Sequence, residues 1–219
     1  MNNNDPQKIF NILVIGANGG IGRQAVVAAL NAGHRVTAVL RNPANLTLTH
    51  PMLEVIKGDI LHPATYERSL EKKDAVISAI GTKGTGPTTI YSQGNAALLR
   101  VMQEKGVRRA FFISASALEI SPVLPFYVRL AEKYIVQKIL RNMYADLRIM
   151  EHLVKESDTD WTILRPPRLT DAEATGHYRW AANAFLKNCL KISRADLAHF
   201  MIRSMEDRTT WQAIVEVGY

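Results

Sequence analysis

Cysteine is almost absent from this chain: Cys189 is the single one in 219 residues. No intrachain disulfide can form, and the usage suits a reducing compartment. Long apolar runs are missing too. The apolar stretches are short and interrupted, so none has the length to span a bilayer. Residues 1–8 are polar, contain Pro6 and lack the apolar core of a signal peptide. They are expected to form a frayed tail ahead of a cytoplasmic protein. The six histidines, His34, His50, His62, His152, His177 and His199, show no metal-ligand spacing, and Cys189 has no histidine partner in sequence. Neither a metal site nor a nucleophilic triad is expected. There is also no arginine-rich arm. The formal charge of +7 is scattered, so it reads as attraction for anionic small molecules rather than for nucleic acid.

What is present is ordinary globular material, with 47% apolar and 21% charged residues, enough to bury one full core. Short β-rich runs alternate with helical ones, which predicts a parallel sheet. The expected strands are residues 9–15, 35–40, 53–57, 75–80, 110–113, 161–164 and 211–217. Helices are expected over 21–32, 63–70, 89–105 and 193–206, and over a longer region, 126–157, broken near 141–145. Gly33 and Gly106 are the expected stops, and Ser193 the cap of the last helix. Residues 81–87 read as a glycine-rich loop, and 165–178 as a loop over the site. The predicted architecture is a single-domain α/β Rossmann-type fold over 9–219, doubly wound, with a mainly parallel sheet and helices on both faces.

The loop Gly16-Ala17-Asn18-Gly19-Gly20-Ile21-Gly22 carries the first chemistry. It follows a buried strand and opens a helix, the context in which glycine spacing becomes specific. Gly16 permits the turn, Gly19 lets backbone approach a pyrophosphate, and Gly22 lets helix and sheet close up. The helix start then offers free N–H groups and a partial positive charge to phosphate. Asn18, Gly20 and Ile21 complete the expected pyrophosphate site. A nicotinamide dinucleotide is therefore the expected cofactor. The second strand ends in Arg41-Asn42-Pro43 with no acid to hold a ribose hydroxyl. A guanidinium there suits a 2′-phosphate, so NADP is expected, with NADPH preferred over NADH, and Arg23 is a possible second contact. Asp59 and Ile60 are expected near the adenine, or Asp59 is a turn aspartate. Ala79, Ile80 and Gly81 are small enough for the ribose to lie on the backbone.

These segments, together with Trp161-Thr162-Ile163-Leu164-Arg165-Pro166-Pro167 and Ile192-Ser193-Arg194-Ala195-Asp196-Leu197-Ala198, resemble the atypical short-chain dehydrogenases/reductases of the NAD(P)H-binding (NmrA-like) group. Within that group they resemble the biliverdin reductase B/flavin reductase type. The resemblance runs over nearly the whole chain. It implies hydride transfer to a planar acceptor such as a flavin, quinone or tetrapyrrole, by a monomer or homodimer, with Ser114 or Ser116, Arg165 and Pro166 bordering the nicotinamide. It also implies an alternative, a non-catalytic NADP(H)-sensing or protein-binding module. Ordinary members use a tyrosine and a lysine four residues on. Tyr134 and Lys138 have that spacing, as chance on an amphipathic helix would also give. Counting back from Arg165 puts the expected pair on Met143 and Leu147 instead. Tyr134, Lys138, Ser114 and Ser116 are the catalytic candidates. Arg168, His177, Tyr178, Arg179 and Trp180 are candidates to line an acceptor pocket.

Overall fold

The computed structural model describes residues 8–82 and 84–219. The expected tail lies outside them apart from Lys8, which pairs with Glu206 at 3.1 Å. Lys83 of the expected 81–87 loop is outside them as well.

Strand β1 (Asn11–Ile15) shows how the sheet is built. Ile12 and Val14 point into one apolar layer, and Leu13 and Ile15 into the other. All four are buried, as a parallel strand covered on both faces requires. Around it run β2 (Arg35–Leu40), β3 (Leu53–Lys57), β4 (Ala75–Ser78), β5 (Arg109–Ile113) and β6 (Asp160–Leu164). Two short strands follow, β7 (Arg168–Thr170) and β8 (Arg179–Ala182), then β9 (Lys191–Ser193) and β10 (Ala213–Gly218). The main sheet has the order β3-β2-β1-β4-β5-β6-β10-β8, with every pairing parallel except the last. β7 and β9 form a separate parallel pair.

Helices α1 (Gly20–Asn31), α2 (Ile90–Lys105), α3 (Phe126–Ala131), α4 (Gln137–Ile139), α5 (Arg141–Lys155) and α6 (Arg194–Arg203) cover the faces. α1 packs on α6 on one side, and α2 on α5 on the other. The expected stops hold: Gly33 and Gly106 both have positive φ. Ser193 caps α6 by accepting from the Asp196 amide at 2.9 Å.

The differences from expectation have local causes. The 63–70 helix is two 3-10 turns, Pro63–Thr65 and Glu67–Leu70. The long helical region breaks at Leu140, next to the expected 141–145, but a π-helical turn at Glu132–Val136 that the sequence did not mark precedes the break. The expected loop over 165–178 contains β7. Nothing in the sequence marked β7, β8 or β9. Two of them are only three residues long, and β8 is a half-exposed edge strand without a buried apolar run.

Candidate functional site

All strands of the main sheet except β8 end at one edge, and the glycine loop sits there between β1 and α1. Gly16 has φ +81°, and a Cβ on it would lie 2.5 Å from the carbonyl oxygen of Ala79 at the end of β4. A Cβ on Gly22 would strike the Gly16 carbonyl, and one on Gly19 would come within 3.2 Å of it. The Gly19 amide donates to that same carbonyl at 2.9 Å. The three glycines thus close one tight turn. Gly19 is the cap residue of α1, no side chain caps the helix, and no acid lies in its first turn. The amides at its start stand before the first intrahelical acceptor. This is a cradle of backbone donors that fits a pyrophosphate and that any Cβ would fill.

At the end of β2, where the sequence placed the adenosine, Arg41 is exposed, and Arg23 is exposed on α1. Among the described residues neither makes an ion pair. The Asp59 carboxylate accepts from the Leu61 amide at 3.1 Å, so part of its role is the turn itself. Ile60 is buried against Gly94 of α2. Ala79 is buried, while Ile80 and Gly81 stand at the open edge.

Arg194 was not marked as a site residue by the sequence. Its side chain lies across Gly20, where an added Cβ would be 2.6 Å from both Cδ and Nε. Its guanidinium is held by Asp171 at 2.6 Å. The contact follows from the side-by-side packing of α1 and α6, which brings both helix starts to one place. Sequence distance hides it.

On the β5–β6 side the charged groups are already paired. Ser114 donates to Glu151 Oε1 at 2.7 Å. Arg165 grips the same carboxylate with Nε and Nη2, at 2.9 and 2.7 Å, and reaches Glu119 at 2.7 Å. Burial opposes the charge on Glu151, but the Arg165 bonds outweigh it and hold its carboxyl below the usual range. Burial likewise opposes the charge on Arg165, and the two glutamates more than restore it. Glu151 was also missed. It is a carboxylate on the apolar face of α5, between Leu147 and Val154, and that misplacement was the signal. Ser116 is half-buried, its amide donates to the Pro166 carbonyl at 3.1 Å, and its hydroxyl is unpaired among the described residues.

Tyr134 does not meet Lys138. It is 61% exposed on the π-turn, and Lys133 stands over its ring instead. Met143 and Leu147, the register of the usual pair, lie on the apolar side of α5. Tyr144 is buried beside them, and burial raises its phenol to about 12. Tyr178 and Trp180 pack on Phe200 of α6, with the Tyr178 hydroxyl 2.7 Å from His199 Nδ1. Their place is therefore the α6 layer. Arg168 is exposed on β7. Among the described residues no group of histidine, cysteine and carboxylate is arranged to hold a metal, and no helix is long and apolar enough to cross a membrane. A cavity of about 490 Å³ lies elsewhere, along α1 and α6 by Phe10 and His34. It runs down to the starts of β1 and β2, whereas α/β sheets bind ligands at strand ends.

The chain is similar to known proteins along most of its length. A photosystem II assembly factor, Ycf39 of Synechocystis, is 30% identical over 58% of this chain and 40% of its own length. The divinyl chlorophyllide a 8-vinyl-reductase of Zea mays is 25% identical over 97% of this chain and 56% of its own. The chain spans less than half the length of the Ycf39 proteins of Synechocystis and Cyanophora paradoxa. Among solved structures, a wide-type short-chain dehydrogenase/reductase of Veillonella parvula in complex with NADP superposes with a TM-score of 0.78 at 19% identity, covering 97% and 95% of the two chains. ChuY, an anaerobilin reductase of Escherichia coli, superposes with a TM-score of 0.73 at 21% identity, covering 94% and 96%. Both show the fold. The model of the NAD(P)H-binding family matches residues 16–208, and the chain belongs to that Rossmann-fold family.

Proposed function

We propose that the protein is an NADPH-dependent reductase that passes hydride to a planar conjugated acceptor such as a flavin, a quinone or a tetrapyrrole. The observation that carries the cofactor reading is the uncapped start of α1 over the glycine turn, with Arg41 exposed and unpaired where an NAD site would place an acid. The bound nicotinamide supplies the hydride. The chain's own groups bind and orient. The amides of Gly20, Ile21 and Gly22 hold the pyrophosphate, with Asn18 at the turn, and Arg194 closes over it from α6. Arg41, with Arg23, takes the 2′-phosphate. Asp59 and Ile60 border the adenine, and Ala79, Ile80 and Gly81 the ribose. Arg165 and Pro166 wall the nicotinamide, and Ser116 offers the free hydroxyl beside it. Such a transfer depends on orientation more than on a tyrosine–lysine pair. The names of the vinyl-reductase and the anaerobilin reductase support a tetrapyrrole-like acceptor.

Binding measurements with single variants test this. Arg41→Ala is expected to weaken NADPH by about 10–100-fold, the worth of a lost charge-assisted contact, and to leave NADH within about twofold. Arg194→Ala is expected to weaken both by about tenfold, since both carry the pyrophosphate. Equal losses for the two cofactors in Arg41→Ala would remove the NADPH assignment.

A second reading, a non-catalytic NADP(H)-binding module that docks partners, is favoured by Met143 and Leu147 at the register of the usual catalytic pair and by the assembly-factor relatives. Absorbance loss with a panel of flavins and quinones separates the two. Tight NADPH binding without oxidation by any acceptor selects the second.

A further inference from the structure

Behind Ser116 lies a cavity of about 10 Å³, room for a single water, lined by Ser116, Ser121, Leu124, Glu132, Cys189 and Glu216 among others. Two polar atoms sealed from solvent have no partner there: Ser121 Oγ and Glu132 Oε2. Ser121 is only 5% exposed. Buried polar atoms are nearly always satisfied, so two orphans facing one small cavity mark a bridging water. Glu132 opens the π-turn, and π-turns inside helices recur at functional sites. Gln137, just past the turn, donates to the Ala117 carbonyl at 2.8 Å and pins this segment onto the Ser116–Leu118 turn. Glu132 and Ser116 therefore line one cavity, with the π-turn packed on the Ser116–Leu118 turn.

Resting on the reductase reading above, we propose that Glu132 is the proton source for the reduced acceptor, delivering through the cavity water and the Ser116 hydroxyl. The acceptor gains hydride from the nicotinamide and a proton from the Glu132 carboxyl. The O–H bond of Glu132 breaks, and the carboxylate left behind takes a proton back from solvent. One NADPH is oxidised and one proton is consumed per acceptor reduced.

The groups around Glu132 favour its protonated form. From β10, Glu216 lines the same cavity and accepts from the Leu186 amide at 2.7 Å. Arg165, the cation at the end of β6, is already held by Glu151 and Glu119. Tyr144 on α5 faces Glu132 as a neutral phenol, and burial pushes the Cys189 thiol up to about 12. Lys133, the next residue, stands over the Tyr134 ring. Burial first, then the Glu216 charge, raises Glu132 above the usual carboxyl range, and burial raises Glu216 as well.

Glu132→Gln tests the role by two routes. Infrared spectra of the wild type at neutral pH should show a protonated carboxyl absorption that Glu132→Gln loses, with or without cofactor. With NADPH and a flavin or quinone, the variant should lose about 100-fold in kcat, keep KM for NADPH, and no longer show the alkaline fall of the wild-type profile. Ser121→Ala, which only removes a water ligand, should lose several-fold and keep the fold. No protonated carboxyl assignable to Glu132, or a Glu132→Gln variant with wild-type rate and pH profile, overturns the proton role alone. A wild type that oxidises NADPH with no acceptor overturns the reductase reading and this role with it.

Discussion

The two halves of the crevice handle charge in opposite ways. In the β1–α1–β2 half the helix start is uncapped, and Arg23 and Arg41 stand exposed without an ion pair among the described residues. In the β5–β6 half nearly every charged group is paired internally. Arg165 is locked to Glu151 and Glu119. Asp146 of α5 accepts from the Tyr91 and Ser92 amides and from the Ser92 hydroxyl at the start of α2. At the opposite edge of the same strands, where β5 begins, Arg109 spends its guanidinium on the carbonyls of Met205, Asp160 and Ser204 and the hydroxyls of Thr162 and Thr210. Unpaired donors mark where a ligand is owed, and paired ones mark architecture.

The largest effect should come from breaking the architecture. Burial pulls the Arg109 guanidinium down to about 9, yet it remains protonated at neutral pH, with acceptors on all sides and the Phe111 ring 3.9 Å away. Arg109→Leu orphans those buried acceptors and should cost about 3–5 kcal/mol. For a chain of this size that lowers the thermal midpoint by about 10 °C. NADPH affinity measured well below the midpoint should not change. A stable variant with weakened cofactor binding would erase the distinction between the halves.

A smaller effect is expected at Asp196, where α6 meets the chain end. Its carboxylate accepts from the Thr175 and Gly176 amides at 2.9 and 2.8 Å, and from the Thr175 and Tyr219 hydroxyls. Burial opposes its charge, but these bonds, led by Tyr219, hold its pKa below the usual value. A depressed folded value means that the stability is fully present above the unfolded carboxyl range, about pH 4, and is lost as pH falls through the lower folded value. Asp196→Asn should therefore cost about 2 kcal/mol at pH 7. The gap to wild type should close on acidification, as read from denaturant midpoints across pH.

The sequence displayed the glycine turn because it demands particular residues at closely spaced positions: a Cβ at Gly16 or Gly22 would strike backbone, and one at Gly19 would crowd it. The long buried strands were legible for a similar reason, since a strand covered on both faces has an unbroken apolar run. The other half is assembled across long sequence distances. Glu151 meets Arg165 and Ser114 only once α5 packs behind β5 and β6, and Arg194 meets Gly20 only once α6 lies beside α1. Tyr134 and Lys138 show the converse: correct spacing, but Tyr134 stands exposed on the π-turn and Lys138 follows on α4, with no hydrogen bond between them among the described residues.

The finest division is between two serines in one turn. The Ser114 hydroxyl donates its hydrogen bond to Glu151, whereas Ser116, which lines the cavity, has a hydroxyl unpaired among the described residues. Ser114→Ala removes one hydrogen bond to a carboxylate still held by Arg165, so it should cost about 1 kcal/mol of stability and leave kcat/KM within about twofold. Ser116→Ala removes no bond within the chain. It should leave the unfolding midpoint unchanged while lowering kcat with a flavin or quinone by about tenfold, the smaller part of a general-acid contribution. The reverse pattern, with Ser114 losing turnover and Ser116 losing stability, would move the nicotinamide-side hydroxyl to Ser114 and make Glu151 part of the reacting site rather than its support.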